Sequence, residues 1–290
     1  MQPIFDTGLM IERKRRALAK RVEGADFLMA RAAEDLAERL AAVERRFDKA
    51  ITVFCVTPDA KGVVLASGKA QSVLRVEADA SFLGDDAGMV AEPETLPLEP
   101  GSVDLAVSLL ALQEVNDIPG MLIQIRRALK PDGLFLGAMA GSDTLGELGE
   151  SLLAAESEIL GGVSPRVIPF TDVRDAGALL QRSGFALPVT DVETVTVRYD
   201  HMFALMNDLR AMGATNALIA RSRRPGTRGL FRRAAEIYAE RFSDPDGRIR
   251  ATFSFIWLSG WAPDASQQKP LKPGSAQVSL AKILGEQKDG

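Results

Sequence analysis

At 290 residues the chain exceeds one minimal domain and falls short of two full ones, so a single α/β core with an extra helical layer fits best. Its net charge of −4 gives no global attraction to nucleic acid or an anionic membrane, and any such binding has to be local. With Cys55 as the one cysteine and His201 as the one histidine, an internal disulfide and a zinc site of ordinary nitrogen and sulfur ligands are excluded.

A carboxylate-rich iron site stays open in principle, but no local cluster points to one, and no metal is expected. No apolar run reaches the length of a membrane span, so no transmembrane segment is expected. Glu12 and Arg13–Arg16 follow directly on Met10-Ile11, which leaves no apolar core for a signal peptide. These features together predict a soluble cytoplasmic protein with no nucleic-acid partner.

Residues 9–47 read as helix, with Leu18, Val22, Phe27, Leu28, Leu36, Leu40, Val43 and Phe47 forming an apolar stripe interrupted near Gly24. The run Arg13-Lys14-Arg15-Arg16 reads as a solvated face. Ile51–Val56 is then a short, β-branched, continuous apolar run, the look of a strand buried on both faces. Similar runs follow at Val73–Val76, Gly88–Ala91, Val103–Leu110 and Leu134–Met139. Between the last two, Asp117–Leu129 predicts a helix with Pro119 in its first turn, closed by Lys130-Pro131-Asp132-Gly133. Strand, helix, turn and strand at this spacing make a βαβ unit with a right-handed crossover.

A further helix is predicted from about Asp143 to Glu158. Thr171-Asp172 caps another, Val173–Ser183, which stops at Gly184. Val192–Tyr199 and Thr252–Trp261 read as strands flanking an amphipathic helical stretch, 201–243. The tail after Pro263, with Pro270, Pro273 and Gly274, reads as loop until Ala276–Leu284. The chain therefore divides into an N-terminal helical segment (1–47), a Rossmann-like core (48–200 and 250–262), a helical insertion or cap (201–249) and a tail (263–290). The expected fold class is α/β, a mostly parallel sheet with an antiparallel last strand. Ligands in such sheets sit beyond the carboxyl ends of the strands, so the loops after Val56, Val76, Ala91 and Leu110 should surround any cofactor.

Pro93-Glu94-Thr95-Leu96-Pro97-Leu98 followed by Ser102–Ser108 resembles the middle of class I S-adenosylmethionine (SAM) methyltransferases. Glu114-Val115-Asn116-Asp117, Leu129–Gly133, Gly137-Ala138-Met139, Gly141–Leu145 and Gly274-Ser275-Ala276 are similar to one branch of that superfamily. The branch holds the methyltransferase-like assembly factor 5 of respiratory complex I and neighbours the malonyl-acyl-carrier-protein O-methyltransferases. The resemblance implies a SAM-binding fold and a protein partner or substrate in complex I, with arginine hydroxylation rather than methylation as the reaction. It supplies no catalytic residue, and the sequence shows no metal triad and no flavin fingerprint.

The resemblance also implies the cofactor positions. Thr52 stands at the acidic position of the first strand, and Phe54-Cys55-Val56 where Gly-Cys-Gly is expected. Phenylalanine and β-branched valine resist the unusual dihedrals of that turn, so the segment reads either as a lost SAM loop or as a strand packed in the core. Asp79 corresponds to the acid that receives the ribose hydroxyls, or is an ordinary loop acid. Glu92 corresponds to the acid facing the adenine amino group, with Leu96 and Leu98 as adenine walls or core residues. Ser108 and Gln113 orient a substrate, or serve as capping and surface residues. Glu114 replaces an aromatic residue common in relatives.

Asp143, Thr144, Asp172 and Asp175 are candidates to receive an arginine, with helix capping the simpler account for Asp143 and Asp172. Arg221, Arg223, Arg224, Arg228, Arg232 and Arg233 read as an acidic-partner surface or a solvated face. Trp257, Trp261 and Phe255 read as core. Three functions follow: an active SAM-dependent enzyme of the assembly-factor branch acting on a protein side chain or a small carboxylate, a non-catalytic scaffold that has lost the cofactor, or a pocket that binds another ligand entirely.

Overall fold

The computed structural model describes residues 2–268; the expected Gly274-Ser275 segment and Ala276–Leu284 lie outside them. Two helices, α1 (Thr7–Lys20) and α2 (Phe27–Ala42), precede strand β1 (Phe47–Val53). Then come α3 (Asp59–Ala66), β2 (Ala70–Glu77), the short α4 (Ala80–Leu83), β3 (Gly88–Val90) and β4 (Val103–Leu109). A 3-10 turn, Leu112–Glu114, leads into α5 (Ile118–Ala128), β5 (Leu129–Ala140), α6 (Gly146–Leu160), α7 (Val173–Arg182) and β6 (Ala186–Tyr199). Helices α8 (Met202–Ala211) and α9 (Arg228–Phe242) precede β7 (Ile249–Trp261).

The strands form one seven-stranded sheet in the order β3-β2-β1-β4-β5-β7-β6. β1 to β5 are parallel, and β7 runs antiparallel to both β5 and β6. The continuous apolar runs of the central strands have a direct cause. Leu105, Val107 and Leu109 enter a core shared with α2, α3, α6, α8 and α9, while Ala106 enters a second core with α5 and α7. Successive side chains of a strand point to opposite faces, so a strand covered on both must be apolar throughout. β6 lies at the sheet edge, and its exposed residues alternate with partly covered ones.

Several boundaries differ from the sequence expectation. The helix expected over 9–47 is two helices, because Arg21 takes a left-handed conformation (φ 46°) that ends α1, and Phe47 opens β1. The first strand ends at Val53, before Phe54–Val56. Lys130–Gly133 is a kink inside β5 and not a turn ahead of it: Asp132 has φ 60° and donates its N–H to the carbonyl of Ala262, which in turn donates to Gly133. Helix α6 starts at Gly146, three residues past Asp143. The insertion holds two helices separated by a non-helical segment, 212–227. Gly184 does end the helical stretch, at φ 81°, a conformation open to glycine without a Cβ penalty.

Candidate functional site

The turn after β1 keeps the backbone of a glycine-rich loop without its glycines. Phe54 has φ 53° and Val56 has φ 66°. The expectation that these residues resist such dihedrals is overturned, and the reason lies in what holds them. The Phe54 N–H donates to the Val76 carbonyl (2.8 Å), and the Val56 N–H donates to Glu77 Oε2 (3.1 Å). The Val56 carbonyl accepts from Arg75 Nη2 (3.1 Å). Left-handed backbone at such residues costs on the order of 1–3 kcal/mol each and persists only where surroundings over-determine it.

Those surroundings are a buried ion pair. Arg75 and Glu77, two apart on β2, are both sequestered from solvent and meet at 3.2 Å. Arg75 also donates to the carbonyls of Phe82 (2.7 Å) and Leu83 (3.3 Å) and to Asp86 (3.1 Å). Burial pushes the Glu77 carboxyl up to about 7, against the opposing effects of the Val56 N–H and Arg75. The neighbouring Cys55 thiol is pushed up to about 12, again by burial first, which makes it a poor nucleophile at neutral pH. Thr52, at the expected acidic position, is buried with its hydroxyl unpartnered.

Beside this turn, where the resemblance places the nucleoside of SAM, the open space is about 60 Å³. It is walled by Met10, Ile11 and Lys14 of α1, by Phe54 and Phe82, and by Pro93 and Glu94. Pockets for ligands of this size run to about 300 Å³ or more. As arranged, these residues do not fit the nucleoside: α1 roofs the cleft, and the Phe54 side chain stands where a glycine would leave room. The roof is fastened at two points. Lys14 pairs with Glu114, and Asn116 Oδ1 accepts from the N–H groups of Ile4 (2.7 Å) and Phe5 (2.8 Å). Glu94 secures Asn116 in turn, accepting from its backbone and side-chain nitrogens (2.9 Å each).

The sequence-derived cofactor positions are scattered by this arrangement. Asp79 caps α4, accepting from the N–H (2.9 Å) and hydroxyl (2.6 Å) of Ser81, and sits 3.7 Å from Arg15. Glu92 is exposed; it is Glu94, two residues on, that organises the loop. Leu96 is buried among Leu112 and Val115. The Ser108 hydroxyl points into the sheet and donates to the Val53 carbonyl (3.1 Å). Phe54 borders the small cleft, Cys55 and Gln113 border a larger cavity, and Val56 borders both.

That larger cavity, about 530 Å³, lies beyond the carboxyl ends of β1, β4 and β5. Its walls are mostly apolar: Leu18 from α1 and Val22 just past its end, Leu28 and Met29 from α2, Leu148 and Leu152 from α6, Met206 and Leu209 from α8, and Phe253 and Phe255 from β7. Gln113 donates to the Leu110 carbonyl at 2.6 Å. Thr144 lines the wall, but its hydroxyl is engaged with the Ser254 backbone. Asp172 caps α7 and, with Asp143 and Asp175, stands outside the cavity. Arg221 pairs with Asp6, and Arg233 with Glu158, Glu236 and Glu240. Trp257 is buried, with Arg39 stacked 4.2 Å above its ring. Among the described residues no cluster of metal-ligating side chains occurs.

A methyltransferase-domain family matches residues 35–137. The human arginine-hydroxylase NDUFAF5, mitochondrial, is 36% identical over 295 residues, covering 97% of this chain and 83% of that protein. The chain belongs to the NDUFAF5 family. The Dictyostelium discoideum member is 46% identical over 189 residues, 65% of this chain but 43% of its own length. A malonyl-[acyl-carrier protein] O-methyltransferase from Laribacter hongkongensis is 37% identical over 67% of this chain and 62% of its own. The solved YcgJ protein of Bacillus subtilis shares the fold, with a TM-score of 0.54 at 13% identity over 80% of this chain and 99% of its own. The expected class I methyltransferase fold and assembly-factor branch are thus shown. The expected cytoplasmic location is corrected: the NDUFAF5 proteins of Dictyostelium discoideum, Danio rerio and Homo sapiens are all named mitochondrial, which points away from the cytoplasm. Among the described residues no helix is long and apolar enough to cross a membrane.

Proposed function

We propose that this chain serves the assembly of respiratory complex I by binding a subunit, on a methyltransferase fold that no longer uses SAM. Family membership supports the assembly role, through relatives named arginine-hydroxylase NDUFAF5. The observation that carries the non-methylating reading is the cleft of about 60 Å³ beside the β1 turn, filled by Met10, Ile11, Phe54 and Phe82. The composition of the larger cavity adds weight. Lys14, Arg21, Arg166 and Arg210 line it against only Asp26 and Glu114, a poor receptacle for an arginine side chain.

Two measurements test the reading. Isothermal titration of the purified protein with SAM and S-adenosylhomocysteine should show no heat up to millimolar ligand; micromolar binding would overturn the loss of the cofactor. In a strain lacking the gene, assembled complex I on native gels should fall and be restored by Asp79→Ser, which keeps the helix cap but removes the carboxylate a ribose would need. Unchanged complex I in the deletion strain would remove the assembly role.

A further inference from the structure

We infer that the cavity of about 530 Å³ is a binding site for a single-chain anionic amphiphile, an acyl chain ending in a carboxylate. This inference does not depend on the assembly role, because it rests on the walls and mouth of the cavity alone.

The body of the cavity is built from aliphatic and aromatic side chains drawn from α1, α2, α6, α8 and β7. Its volume falls within the range of about 300–1,000 Å³ usual for small-molecule sites, and apolar walls with few polar groups are what such sites share. The charges are confined to fewer positions, and two of the four cations are already neutralised. Lys14 pairs with Glu114, and Arg166 pairs with Glu156 at 2.7 Å. Arg21 and Arg210 remain. Both are exposed residues lining the cavity, and neither is ion-paired among the described residues; Arg210 donates only to Asn207, at 2.8 Å. Asp26 is the one lining acid left to oppose them.

Arg21 is itself the left-handed residue that ends α1. Arg210 arrives from the last turn of α8, about 190 residues later in the chain. Both are exposed and line an otherwise apolar chamber, so cationic donors stand where the chamber meets solvent. An apolar chain removed from water gains about 0.8 kcal/mol for each buried methylene, and a carboxylate at the mouth can receive charge-assisted hydrogen bonds from guanidinium groups. A cationic amphiphile would meet the same walls and the wrong charge.

Isothermal titration of the full chain with laurate, below its micelle concentration, tests the inference, with dodecyltrimethylammonium and dodecanol as same-length controls. Laurate should bind at micromolar affinity, at least about tenfold tighter than either control. The Arg21→Ala/Arg210→Ala double variant should lose about tenfold or more for laurate and change little for dodecanol. Val22→Glu offers a second route: Val22 is 49% exposed, so folding should survive a charge there, and laurate should weaken by a similar factor. Absence of laurate binding, equal binding of the cationic amphiphile, or indifference to both variants would each overturn the site.

Discussion

Two spaces lie side by side at the carboxyl ends of the parallel strands, and they share Lys14, Val56 and Glu114 in their walls. One is small and the other roomy. At the β1–β2–β3 end, α1 lays Met10 and Ile11 onto Phe54 and Phe82, and little beyond one or two water-sized voids is left. Over β4, β5 and β7 the same helix presents Leu18, and Val22 follows just past its end, now forming one wall of a chamber whose other walls come from α2, α6 and α8. The sheet beneath is that of a methyltransferase throughout. The difference shows that a fold can keep its ligand-facing geometry at one switch point while side chains decide, locally, which part of it leaves room for a ligand.

The ion pair beneath the small cleft offers the sharpest break. Arg75→Met would leave Glu77 buried without its cation, and should cost about 3–5 kcal/mol in urea unfolding. A loss below about 1 kcal/mol would mean that the pair does not hold the turn. The turn itself can be compared with the strand it follows. Val53 is fully buried with ordinary strand backbone, so Val53→Gly should cost about 3 kcal/mol. Val56→Gly, three residues on, should lie within about 1 kcal/mol of the parent, because relief of its positive φ offsets the lost side chain. Similar losses at both positions would show that Val56 carries no strain.

The protonation of Glu77 gives a pH signature. Its carboxyl stands at about 7 in the folded chain against an ordinary value of 4.5, so the native state holds a proton that the unfolded chain releases between those values. This contribution is fully present below about pH 4.5 and is lost as the pH rises through about 7. The difference in unfolding free energy between the parent and Glu77→Gln, followed from pH 5 to about 8, should fall accordingly; a flat difference would place the carboxylate as ionised throughout. The smallest effect is expected at Asp79. Asp79→Ala should cost about 1 kcal/mol as a lost helix cap and Asp79→Ser only a few tenths, with no change in SAM titration from either.

Much of the scaffold was legible because central strands buried on both faces must be apolar without alternation, and because the caps at Asp117 and Asp172 name their helices through short polar side chains. The replacement of two glycines by Phe54 and Val56 was equally plain in the sequence. The outcome at those residues was not. Their left-handed backbone depends on Glu77 and Arg75, and a hydrogen-bonded network outside the local segment can override local preference. The cofactor residues read by correspondence fared similarly. Ser108 faces the sheet and Leu96 the core, since which side of a strand or loop looks at a ligand depends on what packs against it. The cavity wall was hidden for another reason: Arg21 and Arg210 line one cavity only because α1 and α8 come together in the fold.

The sequence by itself determined the class of fold, the family and the absence of the glycines from the turn after β1, because these reside in hydrophobic period, caps and short local motifs that do not depend on distant partners. Only the tertiary structure decided which of two neighbouring spaces is small and which is roomy. That choice depends on where α1 comes to rest, fixed by Lys14 on Glu114 and by the Asn116 contacts to Ile4 and Phe5, between residues more than about a hundred positions apart.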